Sequence, residues 1–541
     1  MIKSAKLLVL SVFLASSLQS IGQQQGQTGT PALVMKDGVA DLMVDGQPFI
    51  ILGGQAGNSG ASNLADVDRV YSVLNQIHAN TAEIPISWNL LEPQPGKYDY
   101  SLVDGAIEHA RTHKLHLIFL WFGTTKNATL SYVPSWIKID RTKYFRVRNA
   151  YGRETEAISP FCVAALKEDQ TAFSGLMNHI KEFDGRDHTV LMMQVENETG
   201  MLGTDRDYSS EGSRYFEEQV PSEVIDYVQG HKASLRRPLQ AALAAPQAHT
   251  RGTWTEVFGD AAPEAFSAWA VSRYVDAVAS AGKAAYGLPM YVNVALMNTG
   301  SVRPGDWPSG GPAPNVIDIW KAVAHHIDIL APDIYRVDFP EIAQIYARKD
   351  NPLYIPETGL GPYYAPYVFT TLAEFGGIGF APFGVGRRSP DGQLGPAASA
   401  FEENYQVLEP LLPLIVNGRH RGTLFPIVLN MYRHESVAIP LGDSLDAVVH
   451  FDETFAADPN AHRAGGIIVK LTKDQYVVAG EGFHVEFVEL RGPRRNAEFI
   501  SIEKGTFNDG VWVREQALNG DEESVTLRPH NPSILLVKLN R

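Results

Sequence analysis

The strongest constraint on this chain's fold is a succession of eight short apolar runs, each of strand length, with stretches of helical spacing between them. The runs fall at residues 49–54, 81–87, 115–122, 189–195, 290–296, 327–335, 353–356 and 378–383, with helical periodicity at 67–79, 102–112 and 167–183 among the first four. Continuous apolar runs belong to strands buried on both faces, and strand–helix alternation of this kind builds a parallel sheet. Eight units predict an α/β fold that closes as a (β/α)8 TIM barrel. An open doubly wound sheet would instead carry a glycine-rich phosphate turn after its first strand. Gly53-Gly54-Gln55-Ala56-Gly57 stands there, and its spacing does not match GxGxxG, so a nucleotide role is set aside.

The chain of 541 residues is long enough for more than one core. After about Asn417 the pattern changes to short β-rich runs separated by turn residues, at 422–429, 444–451, 465–471, 475–479, 485–490, 499–503 and 533–538, which predicts an antiparallel β-sandwich. Residues 199–288 form a connection too long for an ordinary loop and are expected to add helices over the barrel mouth. Within it, 264–285 reads as a packed helix with Phe266, Trp269, Tyr274 and Val278 in its core, and Trp254 is a candidate sugar-facing wall.

At the start, a short basic stretch (residues 1–6) precedes an apolar run (7–18) too brief to span a bilayer, and Ser20-Ile21-Gly22 offers small residues for cleavage. The expected organisation is therefore 1–22 signal peptide, 23–30 flexible Gln/Gly-rich start, 31–415 catalytic barrel and 416–541 β-sandwich accessory domain. Such a leader predicts export to the periplasm or beyond. No later run is long and apolar enough to anchor the chain in a membrane, and a net charge of −15 without a basic patch argues against a nucleic-acid partner. Cys162 is the only cysteine, so no internal disulfide can form, and a buried packing role is expected for it.

Two of the barrel runs end in carboxylates: Met193-Gln194-Val195-Glu196-Asn197-Glu198 on the fourth and Tyr354-Ile355-Pro356-Glu357-Thr358-Gly359 on the seventh. Strand C-termini are where a parallel barrel displays catalytic groups, and a pair of carboxyls about 5 Å apart is what glycoside cleavage with retention requires. Glu198 is read as general acid/base, with a pKa that must lie above the ordinary carboxyl range, and Asn197 as an amide that binds a sugar hydroxyl. Glu357 is read as nucleophile, with Tyr335 on the preceding strand as a hydrogen-bond donor to it. Alternation along the strand would point Glu196 to the same side as Glu198, as a substrate clamp or as a buried ion-pair member. Further candidate sugar contacts are Trp88, Asn89, Trp121, Asn127, Trp307, Tyr363 and Tyr364. Two carboxylates suffice for this chemistry, so no cofactor or metal is expected, and His325-His326 and His113-x-x-His116 lack partners for a metal set.

The run Gln194-Val195-Glu196-Asn197-Glu198, with Trp88-Asn89-Leu90-Leu91-Glu92-Pro93-Gln94-Pro95-Gly96-Lys97-Tyr98-Asp99-Tyr100, resembles glycoside hydrolase family 35, the β-galactosidases of clan A, and is similar also to family 42. The likeness covers about residues 40–410. It implies a retaining, exo-acting enzyme on terminal β-galactose, with the acid/base pair at Asn197 and Glu198 and the nucleophile at Glu357. Two departures stand out: Thr199 follows the acid/base where many members have Tyr, and the third strand reads Leu120-Trp121-Phe122-Gly123-Thr124-Thr125-Lys126-Asn127 where members carry an Ala-Glu sugar clamp. The rival readings are the same machinery acting on a β-glucoside, β-mannoside or α-L-arabinopyranoside, and a carbohydrate-binding barrel without catalysis.

Overall fold

The computed structural model describes residues 29–386, 394–430, 436–452, 463–490 and 495–541. The expected leader, and the flexible start as far as residue 28, lie outside the described residues.

Eight parallel strands form the barrel: β1 (Ile51–Ala56), β2 (Thr81–Ser87), β3 (His116–Lys126), β4 (Val190–Asn197), β5 (Met290–Ala295), β6 (Ile329–Ile334), β7 (Tyr354–Ile355 and Glu357–Thr358) and β8 (Gly379–Phe380, resumed at Phe383–Val385). Strand β7 is split at Pro356, which has no N–H to give to the ladder. Its lower half pairs with β8 (Tyr354 opposite Gly379) and its upper half with β6 (Asp333 opposite Glu357). Strand β8 returns to β1, with Gly379 opposite Ile51, and the barrel is closed.

The bottom of the barrel is stoppered from the chain's own N-terminal side. An antiparallel meander (Ala32–Lys36, Val39–Val44, Gln47–Phe49) packs Ala40, Leu42 and Val44 against Ile51, Ile118, Leu191, Tyr291, Ile329 and Ile378, which come early in their strands. Arg419, fully buried at the end of the helix Leu412–Arg419, ties this stopper down. Its guanidinium donates to the carbonyls of Gly376 (3.1 Å), Gly377 (2.7 Å) and Ala40 (3.2 Å) and to Asp41 Oδ1 (2.6 Å).

Helices Leu64–Gln76, Ser101–His113, Val163–Asp184 and Ala262–Ala285 cover the outside. The first starts at Asn63, whose side chain accepts from the Asp66 N–H, a cap that fills one of the unpaired donors at a helix start. The long connection after β4 carries Ser210–Phe216, Ser222–Gly230, Leu239–Ala244, Trp254–Phe258 and then Ala262–Ala285. Trp254 is corrected as a sugar wall: it is 1% exposed, its ring centroid lying 5.5 Å from those of Phe266 and Trp269. Cys162 is buried with its thiol donating to the Lys143 carbonyl at 3.4 Å, and burial pushes its pKa up. No helix among the described residues is long and apolar enough to cross a membrane.

The architecture changes between Arg419 and Leu424, where the first sandwich strand begins. One six-stranded sheet (Leu424–Asn430, Arg463–Lys470, Gln475–Glu481, Ser533–Asn540, Glu498–Asn508, Val511–Leu518) faces a five-stranded sheet built on Leu445–Phe451 and Phe483–Glu489. Ile427, Ile468, Val478 and Val537 from the first meet Val449, Val485 and Phe487 from the second. The other face of the six-stranded sheet seats on the barrel helix Tyr367–Ala373. At Gly465 a Cβ would lie 2.7 Å from the Pro366 Cβ, so here the two domains meet across a glycine.

Candidate active site

The C-terminal end of β4 departs from regular strand geometry. Glu196 and Glu198 have φ of +61° and +43°, a left-handed conformation that costs on the order of 1–3 kcal/mol per non-glycine residue and persists only where surroundings enforce it. Asn293 on β5 supplies part of that enforcement, its Oδ1 accepting from the Glu198 N–H at 2.8 Å. The Glu198 carbonyl accepts from the Ala128 N–H at 3.2 Å.

Side-chain alternation fails across these two residues, which corrects the expectation for Glu196. Its carboxyl turns toward the helix layer, 1% exposed, and accepts from Thr124 N (3.1 Å), Thr124 Oγ1 (3.1 Å) and Thr125 N (2.6 Å). Its charged neighbour is Asp169, itself held by Trp121 Nε1 (2.9 Å), Thr124 Oγ1 (3.1 Å) and Tyr274 OH (3.1 Å). Burial first and then the Asp169 charge raise the Glu196 pKa well above its usual range, so the two carboxyls share a proton. Glu196 is neither a sugar clamp nor an ion-pair member.

Glu198 and Glu357 come together with a third acid, Asp333 at the top of β6. One oxygen from each of the three lies within 4.8 Å of the others. Glu357 Oε2 accepts from the Tyr335 hydroxyl at 2.9 Å. The Asn293 amide donates to Asp333 Oδ2 at 2.8 Å and to Glu357 Oε1 at 3.3 Å, so this one side chain sets the positions of all three acids. Lys126, buried at the end of β3 with Nζ 4.9 Å from the Phe122 ring centroid, donates to Asn197 Oδ1 at 2.7 Å. That bond fixes the Asn197 amide with Nδ2 buried and turned toward Glu357, whose charge it supports.

The environments differ in ways that divide the labour. Burial and, next, the charge of Glu357 raise Glu198 to about 7, with Lys126 and Asp333 opposing. Glu357 is raised by burial, but Lys126, the Tyr335 hydroxyl, Gln55 and the Asn197 amide all act to keep its charge. Asp333 is raised well above the carboxylate range by burial, then by the charges of Glu357 and Glu198, and so holds its proton. Tyr335 is likewise pushed up, by burial and then the Glu357 charge, and stays a donor. Glu198 is thus poised near neutrality, Asp333 is pushed toward its neutral form, and Glu357 has four groups that act to keep its charge. An acid able to give and retake a proton beside a fixed carboxylate at this spacing suits double displacement; inversion would want about 6.5–9.5 Å.

Of the ring and amide candidates, Trp88 and Trp121 are corrected. Both are fully buried, their indole N–H groups bound to Glu92 Oε2 (2.7 Å) and Asp169 Oδ1 (2.9 Å), with no face open to a sugar. Asn89 is half-buried with Oδ1 unpartnered, and Asn127 is exposed with φ of +52°. Trp307, 7% exposed, donates to Glu264 Oε1 at 2.7 Å and sits in a rim loop. Tyr363 is half-buried with the Arg463 guanidinium of the sandwich 4.1 Å from its ring centroid, and the Tyr364 hydroxyl donates to the Tyr335 carbonyl at 3.0 Å. Sequence reasoning missed Asn293, Asp333, Lys126 and Gln55. Asp333 and Lys126 stand at strand ends, the signal that found Glu198 and Glu357. Asn293 and Gln55 are polar residues inside apolar runs, where a buried amide calls for a reason.

Residues 41–262 match the family model described as glycosyl hydrolases family 35. Over that stretch the chain is similar to this family. The match takes in β1 to β4 and Glu198, while Glu357 lies downstream of it. Residues 401–529, most of the sandwich, match a domain of unknown function, DUF5597. No curated protein matches the sequence. Similar solved structures include the catalytic domain of the β-amylase of Paenibacillus polymyxa, at 12% identity and TM-score 0.46, covering 65% of this chain and 97% of that one. The β-galactosidase of the psychrophilic Marinomonas ef1 matches at 13% identity and TM-score 0.46, covering 68% and 61%. The β-galactosidase of Bacillus circulans sp. alkalophilus matches at 16% and 0.45, covering 67% and 56%. The chain thus spans about three fifths of the length of these two galactosidases.

Proposed function

We propose that this protein is an exo-acting β-galactosidase of the family 35 type that removes terminal β-galactose from oligosaccharides or polysaccharide side chains with retention of configuration. The observation that carries the reading is the close approach of Glu198 and Glu357, within 4.8 Å, with Glu198 raised to about 7 and Lys126, Tyr335, Gln55 and Asn197 acting to keep the Glu357 charge. Glu357 attacks the anomeric carbon while Glu198 gives its proton to the departing glycosidic oxygen. Formation of the glycosyl ester removes the Glu357 charge, and with it one of the two causes that raise Glu198. Glu198 can then ionise, take a proton from water and direct that water at the ester. Asn197 Nδ2, beside Glu357, can donate to a sugar hydroxyl next to the anomeric carbon once substrate is bound, a bond of the kind that strengthens in the transition state. The basic start and apolar run of residues 1–18 support a site of action outside the cytoplasm.

A second reading, the same machinery on another glycoside, is favoured by Lys126, which occupies the third-strand position where the family resemblance leads one to expect a sugar clamp. The test of both is a panel of aryl glycosides that differ only in the sugar, followed by proton NMR of the first-formed anomer. Turnover highest on the β-galactoside, with the β-anomer released first, is the expected result. A preference for the glucoside, mannoside or arabinopyranoside would move the sugar assignment without touching the mechanism, and no turnover on any member would reject the enzyme reading.

A further inference from the structure

The five-stranded sheet of the sandwich turns Val449, Val485 and Phe487 into the core, so the residues that alternate with them along Leu445–Phe451 and Phe483–Glu489 face outward. Three of these are His450, His484 and Glu486. Register makes them neighbours: His450 stands directly opposite His484, and Glu486, opposite Val448, lies on the diagonal from His450. The two imidazoles stack, with ring centroids 4.5 Å apart and planes 10° from parallel. One nitrogen from each ring and one Glu486 oxygen all lie within 4.8 Å of one another. The two nitrogens of His450 have different fates. Nδ1 is paired at 2.6 Å with Ser436 Oγ, which stands opposite it on the next strand. Nε2 is buried and has no hydrogen-bond partner. With Nδ1–H donating to Ser436, Nε2 carries a lone pair that nothing in the fold satisfies, and a buried acceptor of this kind calls for a ligand.

We propose that His450, His484 and Glu486 hold a divalent transition-metal ion of the zinc type on the outer face of the sandwich, outside the catalytic barrel. The donor set decides the class of ion. Two imidazoles and a carboxylate suit zinc and its neighbours, whereas magnesium and calcium take oxygen shells. A tetrahedral ion about 2.0–2.1 Å from each nitrogen holds the pair about 3.4 Å apart, so binding draws the set together by side-chain rotation. Glu486 is exposed and makes no hydrogen bond among the described residues, which leaves it free to swing in. Burial and then His450 lower the His484 pKa, so that ring is neutral, the form that ligates. Ser436 takes the part of the outer partner that fixes the tautomer and orientation of a metal-bound histidine. The ion ties two neighbouring strands together and leaves its fourth position to solvent.

The test uses the full chain, freed of metal by chelation and titrated with zinc chloride by calorimetry, beside His450→Ala, His484→Ala and Glu486→Gln. The wild type should bind one equivalent whose Kd rises about ten-fold or more in each histidine variant and about five-fold in Glu486→Gln. Saturating zinc should raise the Tm of the wild type but not that of the double variant His450→Ala/His484→Ala, and magnesium chloride should raise neither. Tm values without metal show whether the variants are folded, and Glu486→Gln, at an exposed position, keeps the comparison valid if a histidine variant is not. A wild-type Kd in the folded variants would put the zinc elsewhere, on the barrel acids or on Glu403, Glu481 and His530, and would overturn the proposal. Failure of the wild type to bind zinc would overturn it as well. Neither result touches the galactosidase reading, which rests on other residues.

Discussion

Replacing Glu357 by Gln removes a charge while keeping shape, and the structure says what Glu198 should then do. At 4.8 Å and an effective dielectric constant of about 20, two unit charges repel by about 3.5 kcal/mol, which at about 1.4 kcal/mol per pH unit would move a pKa by about 2.5. The whole displacement of Glu198, from an ordinary 4.5 to about 7, is no larger than that, and burial is its greater cause. The Glu357 charge is therefore the lesser of the two causes that raise Glu198, and Glu357→Gln should lower its pKa below 7 while burial still holds it above the ordinary carboxyl value. The assay is a pH titration of the carbon-13 carboxyl resonance, assigned by its loss in Glu198→Gln. In the wild type the same group should set the descending limb of kcat/KM near pH 7. A Glu198 that still titrates near 7 in Glu357→Gln would show that the two carboxylates do not feel one another. One that returns to 4.5 would show that burial is not the main cause.

Other outcomes follow from the same contacts. Lys126→Met removes the cation that lowers Glu198 and releases the Asn197 amide, so the descending limb should move to higher pH while kcat falls on a galactoside more than on its 2-deoxy analogue; a limb that moves down would contradict the charge assignment. Glu264 and Glu481 are raised by burial to about 7 and about 8, Glu481 also by the Glu403 charge. Each is protonated in the fold and ionises near 4.5 when unfolded, so its stabilisation is complete below about 4.5 and is lost as pH rises through the folded value, at most about 3–5 kcal/mol apiece. Calorimetry should find Tm lower at pH 8 than at pH 5, with Glu264→Gln narrowing the gap; equal Tm values would refute the sign. Arg419→Met leaves the Asp41 carboxylate buried with only His420 beside it and strips three carbonyls of a donor. It should cost about 3–5 kcal/mol in denaturant unfolding, and a loss below about 1 would show that the stopper is held by packing alone.

The barrel was legible because each strand is apolar on both faces and each carboxylate follows directly on such a run, a pattern that survives without any knowledge of contacts. The split at Pro356 was not, since closure by two half-strands depends on which neighbour supplies the missing donor. The error over Glu196 has a local cause: the two-residue alternation of a strand holds only for extended backbone, and Glu196 and Glu198 are left-handed, Glu198 being held in part by Asn293, 95 positions away. Trp88 and Trp121 were misplaced because a tryptophan near a strand end can serve a sugar or the shell behind it. The buried acceptors Glu92 and Asp169 that capture their indoles cannot be read from spacing. Asp333 carries the same signal as Glu198 and Glu357, a carboxylate at the end of an apolar strand run.

The claim that Glu357 is the nucleophile can be tested without reference to sugar preference or pH. Incubation with a 2-deoxy-2-fluoro galactoside carrying a good leaving group should trap the glycosyl ester, and peptide mass spectrometry should find the added mass on the segment Tyr354-Ile355-Pro356-Glu357-Thr358 with fragment ions assigning it to Glu357. The label on Glu198 or Asp333 instead would contradict the account at its centre.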